Sequence, residues 1–319
     1  MLAVLGDAFM DGGSIAKALA SKRLVLVTGK GGVGKSTCAA AIAVAAARDH
    51  SNVLLIELGA RSVMGDLLGG AAPAHEPSLV AAARLPTLWV AHLEAQRALQ
   101  EYLLETLKLK SLVRLATENR VLARLWQAAP GVDEMALLSA IYRFTEETNS
   151  RGTKRFDVVI VDMPSTGHAL SMLGVPRGVL GMIRGSALAT RARAIDTMLH
   201  DVESTGVCIV TLPEELPVNE SVQLAERLEN ELGMKSSFVV VNAVTPVLFD
   251  AAECATINEL PTDNRLFATA ARRIATVARE AKRIADLRAR LVARFVEVRW
   301  SDIRQAGLVD AVADTLSHA

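Results

Sequence analysis

The residues best suited to chemistry are Gly29-Lys30-Gly31-Gly32-Val33-Gly34-Lys35-Ser36, followed by Thr37. Glycines at this spacing let successive backbone N–H groups close around a polyphosphate, and a helix opening at the end of the run adds its partial positive charge. Lys35 is placed to reach β- and γ-phosphates, and the Ser36 hydroxyl to join a Mg²⁺ shell. A second lysine, Lys30, stands at the start of the loop. Asp162 closes the apolar run Val158-Val159-Ile160-Val161. A carboxylate in that position suits Mg²⁺ opposite Ser36; the other reading is a helix N-cap. Met163-Pro164-Ser165-Thr166-Gly167-His168 comes next and reads as a loop that senses a γ-phosphate, with Gly167 letting a backbone N–H approach. His168 either transmits the nucleotide state or packs on the surface.

These groups need rigid elements behind them. The spacing predicts a strand at Arg23–Thr28, a helix to Asp49, and strands at Val53–Leu58, Leu88–Leu93, Phe156–Asp162, Val207–Thr211, Phe238–Val241 and Phe295–Arg299. Helical periodicity runs from Ala95 to about 127, Val132 to about 147, about 175 to 201, about 218 to 232, Arg265 to about 293, and on from Ala306. Residues from Gly59 to about Pro86 read as loop. Continuous Val/Ile/Leu strands alternating with helices predict an α/β, doubly wound, mostly parallel sheet. The whole of 1–319 reads as one domain, with 95–149 as a helical insertion within it because no linker flanks it.

Composition narrows the function class. With 35 basic and 35 acidic side chains the formal charge is zero, and aromatics are 4%, so nothing pulls the chain towards nucleic acid. Cys38, Cys208 and Cys254 are few, odd in number and far apart, which fits a cytoplasmic setting rather than a disulfide framework. The first ten residues lack the basic cluster of a secretory signal, and no run of eighteen apolar residues is present. Leu103, Leu107, Leu112, Leu115, Leu122 and Leu125 recur at helical spacing, as core packing or as a groove for an apolar client; core packing is the commoner fate. Arg265 to Arg294 holds nine basic residues against Glu280 and Asp286, either a solvated face or a contact for acidic lipid or nucleic acid.

The stretch Thr28 to Thr37, taken with Asp162-Met163-Pro164-Ser165-Thr166-Gly167-His168, resembles the arsenical pump-driving and tail-anchored-protein targeting ATPases. These are P-loop NTPases of the SIMIBI type with a deviant Walker A loop. Their second switch reads D-T-A-P-T-G-H. Also similar are Pro130-Gly131-Val132-Asp133-Glu134, Thr211-Leu212-Pro213-Glu214-Glu215 and Val241-Asn242. The resemblance runs from about residue 22 to 315.

It implies an ATP- and Mg²⁺-dependent dimeric switch, as a homodimer or with a related ATPase subunit, serving an unknown client or membrane partner. It implies that Lys30 is the signature lysine reaching the partner's nucleotide, that Asn242 reads adenine, and that Trp300 to Ile303 lies beside the base. The family's first switch carries an aspartate that positions water; alignment puts Gly59 there, with Glu57 or Asp66 as substitutes off the spacing. Hydrolysis is therefore expected to be slow or partner-dependent. The C-x-x-C zinc clasp and the arsenite-sensing cysteine triad are both absent. Other readings are a Min/Par-type positioning ATPase and a nucleotide-binding regulatory pseudo-ATPase within a heterodimer.

Overall fold

The computed structural model describes residues 18–19, 21–49, 52–80, 85–107, 131–182, 185–260, 263–301 and 306–318. Eight strands form one sheet: β1 (Leu24–Gly29), β2 (Val53–Leu58), β3 (Ser78–Leu79), β4 (Leu88–Leu93), β5 (Val158–Asp162), β6 (Thr205–Thr211), β7 (Ser236–Val244) and β8 (Arg294–Arg299). Their order is β3-β4-β2-β5-β1-β6-β7-β8, and every pairing is parallel except β3 with β4.

The helices are α1 (Lys35–Arg48), α2 (Met64–Leu68), α3 (Ala95–Leu107), α4 (Val132–Glu146), α5 (Thr166–Met182), α6 (Ala187–His200), α7 (Glu215–Arg227), α8 (Ala251–Glu259), α9 (Arg265–Arg290) and α10 (Ala306–His318). They cover both faces, which is the doubly wound α/β architecture of a P-loop NTPase.

Strand side chains alternate between two cores. Leu24, Leu26, Leu54, Ile56, Val159 and Val161 face a core completed by α3 to α7 and the end of α9. Val25, Val27, Val53, Leu55, Val158 and Ile160 face a second core filled by α1, α2 and α10. In α1 every residue from Cys38 to Ala47 is buried. Alanine favours the helix and its small side chain lets both sheet and α10 approach closely.

Several expectations need correcting. The helix expected from about Val175 begins at Thr166, so Thr166, Gly167 and His168 form a first helical turn rather than the end of a loop. Pro176 lies inside α5 and does not break it. A second helix, α6, then replaces the expected continuation. The stretch from Gly59 to Pro86 contains α2 and β3. Helix α8 was not expected; it buries no side chain, and Asp250 and Glu253 hold its start through a capping box.

Of the leucine stripe, Leu112, Leu115, Leu122 and Leu125 lie outside the described residues, as do the side chains of Leu103 and Leu107. Helices α3 and α4 pack into the first core through Ala98, Leu99, Tyr102, Met135, Leu138 and Ile141. Cys38 and Cys208 are buried and Cys254 is partly exposed. Among the described residues no helix is long and apolar enough to cross a membrane.

Candidate functional site

In a parallel sheet the carboxyl ends of the strands, at the point where chain order reverses, form a natural ligand crevice. Here β1 lies between β5 and β6, so that point falls at the end of β1. The loop Gly29 to Gly34 leaves β1 there and enters α1, with Gly34 as N-cap at φ +89°.

Its glycines do different work. A Cβ on Gly29 would meet the Val210 carbonyl oxygen at 2.2 Å, and one on Gly34 would meet Asn242 Nδ2 at 2.3 Å. Gly31 and Gly32 face open space within 4 Å. The first pair fixes how the loop packs on β6 and β7. The second pair lines an open cradle whose backbone can approach a ligand.

Lys35 Nζ donates to the Lys30 carbonyl at 3.0 Å, and burial lowers its pKa against the pull of Asp162. Asp162 ends β5 beside Val27 of β1 and Glu57 of β2. The Ser36 hydroxyl lies close enough to favour its ionised carboxylate. Its Oδ1 is buried and has no hydrogen-bond partner. Burial pushes the Asp162 carboxyl up to about 6; the Ser36 hydroxyl and Lys35 oppose this and the Glu57 charge adds to it. Asp162 is not a helix cap, because α5 starts four residues later. A buried carboxylate with an unpartnered oxygen, near Ser36 and beside an open glycine cradle, fits Mg²⁺ and a polyphosphate.

Lys30 Nζ lies 2.8 Å from Glu220 Oε1 on α7, so within this chain the lysine has an internal partner. Asn242 donates through Nδ2 to the Val33 carbonyl at 2.9 Å. Its pointing has a backbone cause. The β7–β8 register shifts between Val241 and Val244, and Ala243 takes φ +57°, the one positive φ outside glycine among the described residues. The amide nitrogen is thus committed to the loop.

Gly167 and His168 are exposed at the start of α5. His168 Nε2 stands 4.0 Å from Glu134 Oε1 in the first turn of α4, so the Gly131 to Glu134 segment borders the start of α5. Leu58, Gly59, Ala60, Glu94, Pro164, His168 and Met172 line part of a cleft of about 480 Å³ between the turn after β2 and the start of α5. Trp300 follows β8 directly and donates its backbone N–H to the Val244 carbonyl at 2.9 Å; Asp302 and Ile303 lie outside the described residues.

Asp66 is exposed in α2, whereas Glu57 is buried at 3% exposure. Sequence reasoning missed Glu220. The only signal for it was its place five residues beyond the Thr211 to Glu215 segment.

Comparisons with known proteins show the family. The pattern of the family described as anion-transporting ATPase matches residues 22–185 and 182–265. ATPase BagA of Mycobacterium tuberculosis is 28% identical over 244 residues, 74% of this chain and 69% of that protein. The arsenical pump-driving ATPase of Escherichia coli is 30% identical over 208 residues, 65% of this chain and 32% of that protein. ATPase GET3C of Arabidopsis thaliana is 24% identical over 268 residues, 70% and 68% of the two chains.

Proposed function

This chain belongs to the anion-transporting ATPase family, and from that premise we propose that it is a cytoplasmic, Mg²⁺-dependent ATP switch. Two subunits close around nucleotide and pass its state to a partner or client. The observation that carries the reading is the Ser36–Asp162 pair beside the open Gly31–Gly32 cradle.

The residues divide the work. Backbone N–H groups from Gly29 to Thr37 hold the phosphates. Lys35 leaves the Lys30 carbonyl for a phosphate oxygen, which offsets the cost of its burial. Ser36 and Asp162 hold the cation, which neutralises charge building on the phosphates. Asn242 keeps the loop in register with β7 and offers Oδ1 to the adenine. Lys30, once free of Glu220, serves the nucleotide of the neighbouring subunit, where a cation delivered in trans stabilises the transferring group.

Gly59 has no side chain, takes φ +144° and faces open space. That supports slow or partner-dependent turnover and keeps a second reading alive, a regulatory subunit paired with a related ATPase. Three unpaired cysteines support the cytoplasmic setting. The missing cysteine triad and C-x-x-C give no support to arsenite efflux or zinc-clasped targeting.

The test is Mg²⁺-ATP turnover by the purified chain, with nucleotide binding measured on the same sample and Lys35→Ala as control. Turnover abolished by the substitution makes the chain an autonomous ATPase. Tight binding without turnover favours the regulatory subunit. No nucleotide binding at all sinks the switch.

A further inference from the structure

Three titratable side chains stand in one row at the carboxyl edge of the sheet. His92 of β4 pairs with Glu57 of β2, and Glu57 pairs with Asp162 of β5. Their neighbours in sequence show that all three point to the α1 side. Ala91, Leu93, Ile56 and Val161 belong to the opposite core, and strand side chains alternate.

All three are buried, and Glu57 and Asp162 are the only buried carboxylates among the described residues. The two flanking groups each carry a buried polar atom without a partner, Asp162 Oδ1 and His92 Nε2. Glu57, between them, is satisfied by something else. Its Oε1 accepts from the Val63 N–H at 2.7 Å, and its Oε2 accepts from the Ser62 hydroxyl. Val63 is the N-cap of α2, so this carboxylate closes the turn 58–63 and seats the helix after it. That turn contains Gly59.

Two like charges side by side in a buried row are costly, and a divalent cation beside Asp162 removes much of that cost. Whatever changes the charge balance at Asp162 is therefore felt by the group that shapes the turn.

We propose that Glu57 is a positioning residue that couples the turn 58–63 to occupancy of the metal site. The inference rests on the nucleotide-switch reading and deepens it. In a chain with glycine where the family resemblance places a water-positioning aspartate, the carboxylate tied to this switch lies two residues earlier. It acts through the turn, not on the substrate. Ser62 and Val63 are its output and the Asp162 side of the row is its input.

The experiment is hydrogen–deuterium exchange on the full chain with ADP, comparing excess Mg²⁺ with EDTA. Mg²⁺-free ADP affinity is measured in parallel. Wild type should show a Mg²⁺-dependent change in exchange across 58–64. Glu57→Gln keeps a hydrogen-bond acceptor and loses the charge. It should lose that change and weaken Mg²⁺ affinity of the ADP complex about tenfold, with Mg²⁺-free ADP affinity within about twofold of wild type. Glu57→Asp should recover part of the Mg²⁺ response. Ser62→Ala cuts the same tether from the loop end and should also blunt it, which keeps the test open if Glu57→Gln fails to fold. An unchanged Mg²⁺ response in Glu57→Gln or in Ser62→Ala overturns the coupling. A wild type that binds ADP without any response at the turn overturns it too, leaving the switch reading intact. A wild type that binds no ADP overturns both.

Discussion

The Lys30 ammonium, in the phosphate loop, sits 2.8 Å from the Glu220 carboxylate on α7 of the same chain. Both side chains are about 30% exposed (30% and 32%), so the pair contributes at most about 1 kcal/mol to folding. Its weight is on function, because it fixes a lysine that the switch reading sends to a second subunit.

Glu220→Gln should therefore leave the melting temperature nearly unchanged and raise nucleotide-driven association or turnover by about threefold, if the pair costs roughly 0.6 kcal/mol to break. Lys30→Ala should retain nucleotide binding and lose turnover. Steady-state hydrolysis and sedimentation with a non-hydrolysable ATP analogue check both. A Glu220→Gln protein as inactive as Lys30→Ala would mean that Glu220 supports the lysine instead of restraining it.

Asp162 is a stability cost in the nucleotide-free protein. Burial raises its folded pKa to about 6 from 3.8, so ionisation disfavours the fold. The cost is fully present above about pH 6 and shrinks as pH falls towards 3.8. A rise of roughly 2 pH units corresponds to about 3 kcal/mol at most. Asp162→Asn should raise the melting temperature at pH 8, with the gain fading at pH 5 and below. Mg²⁺ with ADP should stabilise the wild type more at pH 8 than at pH 5. Thermal melts across pH test the sign, and a variant less stable than wild type at pH 8 would contradict it.

The loop glycines should separate folding from binding. Gly29→Ala drives a Cβ into the Val210 carbonyl oxygen, a backbone atom that cannot swing aside, at a φ of +149°. A loss of about 3 kcal/mol or more is expected. Gly31→Ala meets nothing within 4 Å and should melt like wild type while weakening ADP binding, because its methyl group enters the cradle. Paired melts and ADP titrations decide. Equal destabilisation by the two variants would contradict the division of labour.

Asn242 and Ala243 form a linked pair. Asn242→Ala removes one hydrogen bond to Val33, worth about 1 kcal/mol, and should weaken ATP binding more than it weakens the fold. Ala243→Gly relieves a left-handed backbone at a cost in unfolded-state entropy, so its melting temperature should equal or exceed wild type. Its ATP affinity reports whether the strained residue is needed to aim Asn242.

The strands were legible because continuous Val/Ile/Leu runs carry a strong local signal, and the phosphate loop because its glycine spacing is tied to one backbone geometry. Helix α5 was misread at its start, since Pro164, Gly167, Gly174 and Pro176 all look like breakers, yet the segment stays helical against the first core. Helix α8 has no apolar periodicity to find because it buries nothing; the Asp250–Glu253 cap was its only mark. Contacts between residues far apart in the chain stayed hidden. Glu57 meets Asp162 across 105 residues of chain, and Lys30 meets Glu220 across 190.

Two of the three thiols are sealed behind the phosphate loop, and burial pushes that of Cys38 up to about 12 and raises that of Cys208 as well. Cys254 alone reaches the surface, on a helix that buries no side chain. The unaltered protein thus carries one built-in attachment point for a spin label, placed where a label displaces no core atom. In an assembly of two copies, one label on each gives a single distance. Its change between ADP and ATP would track subunit movement without introducing any foreign residue.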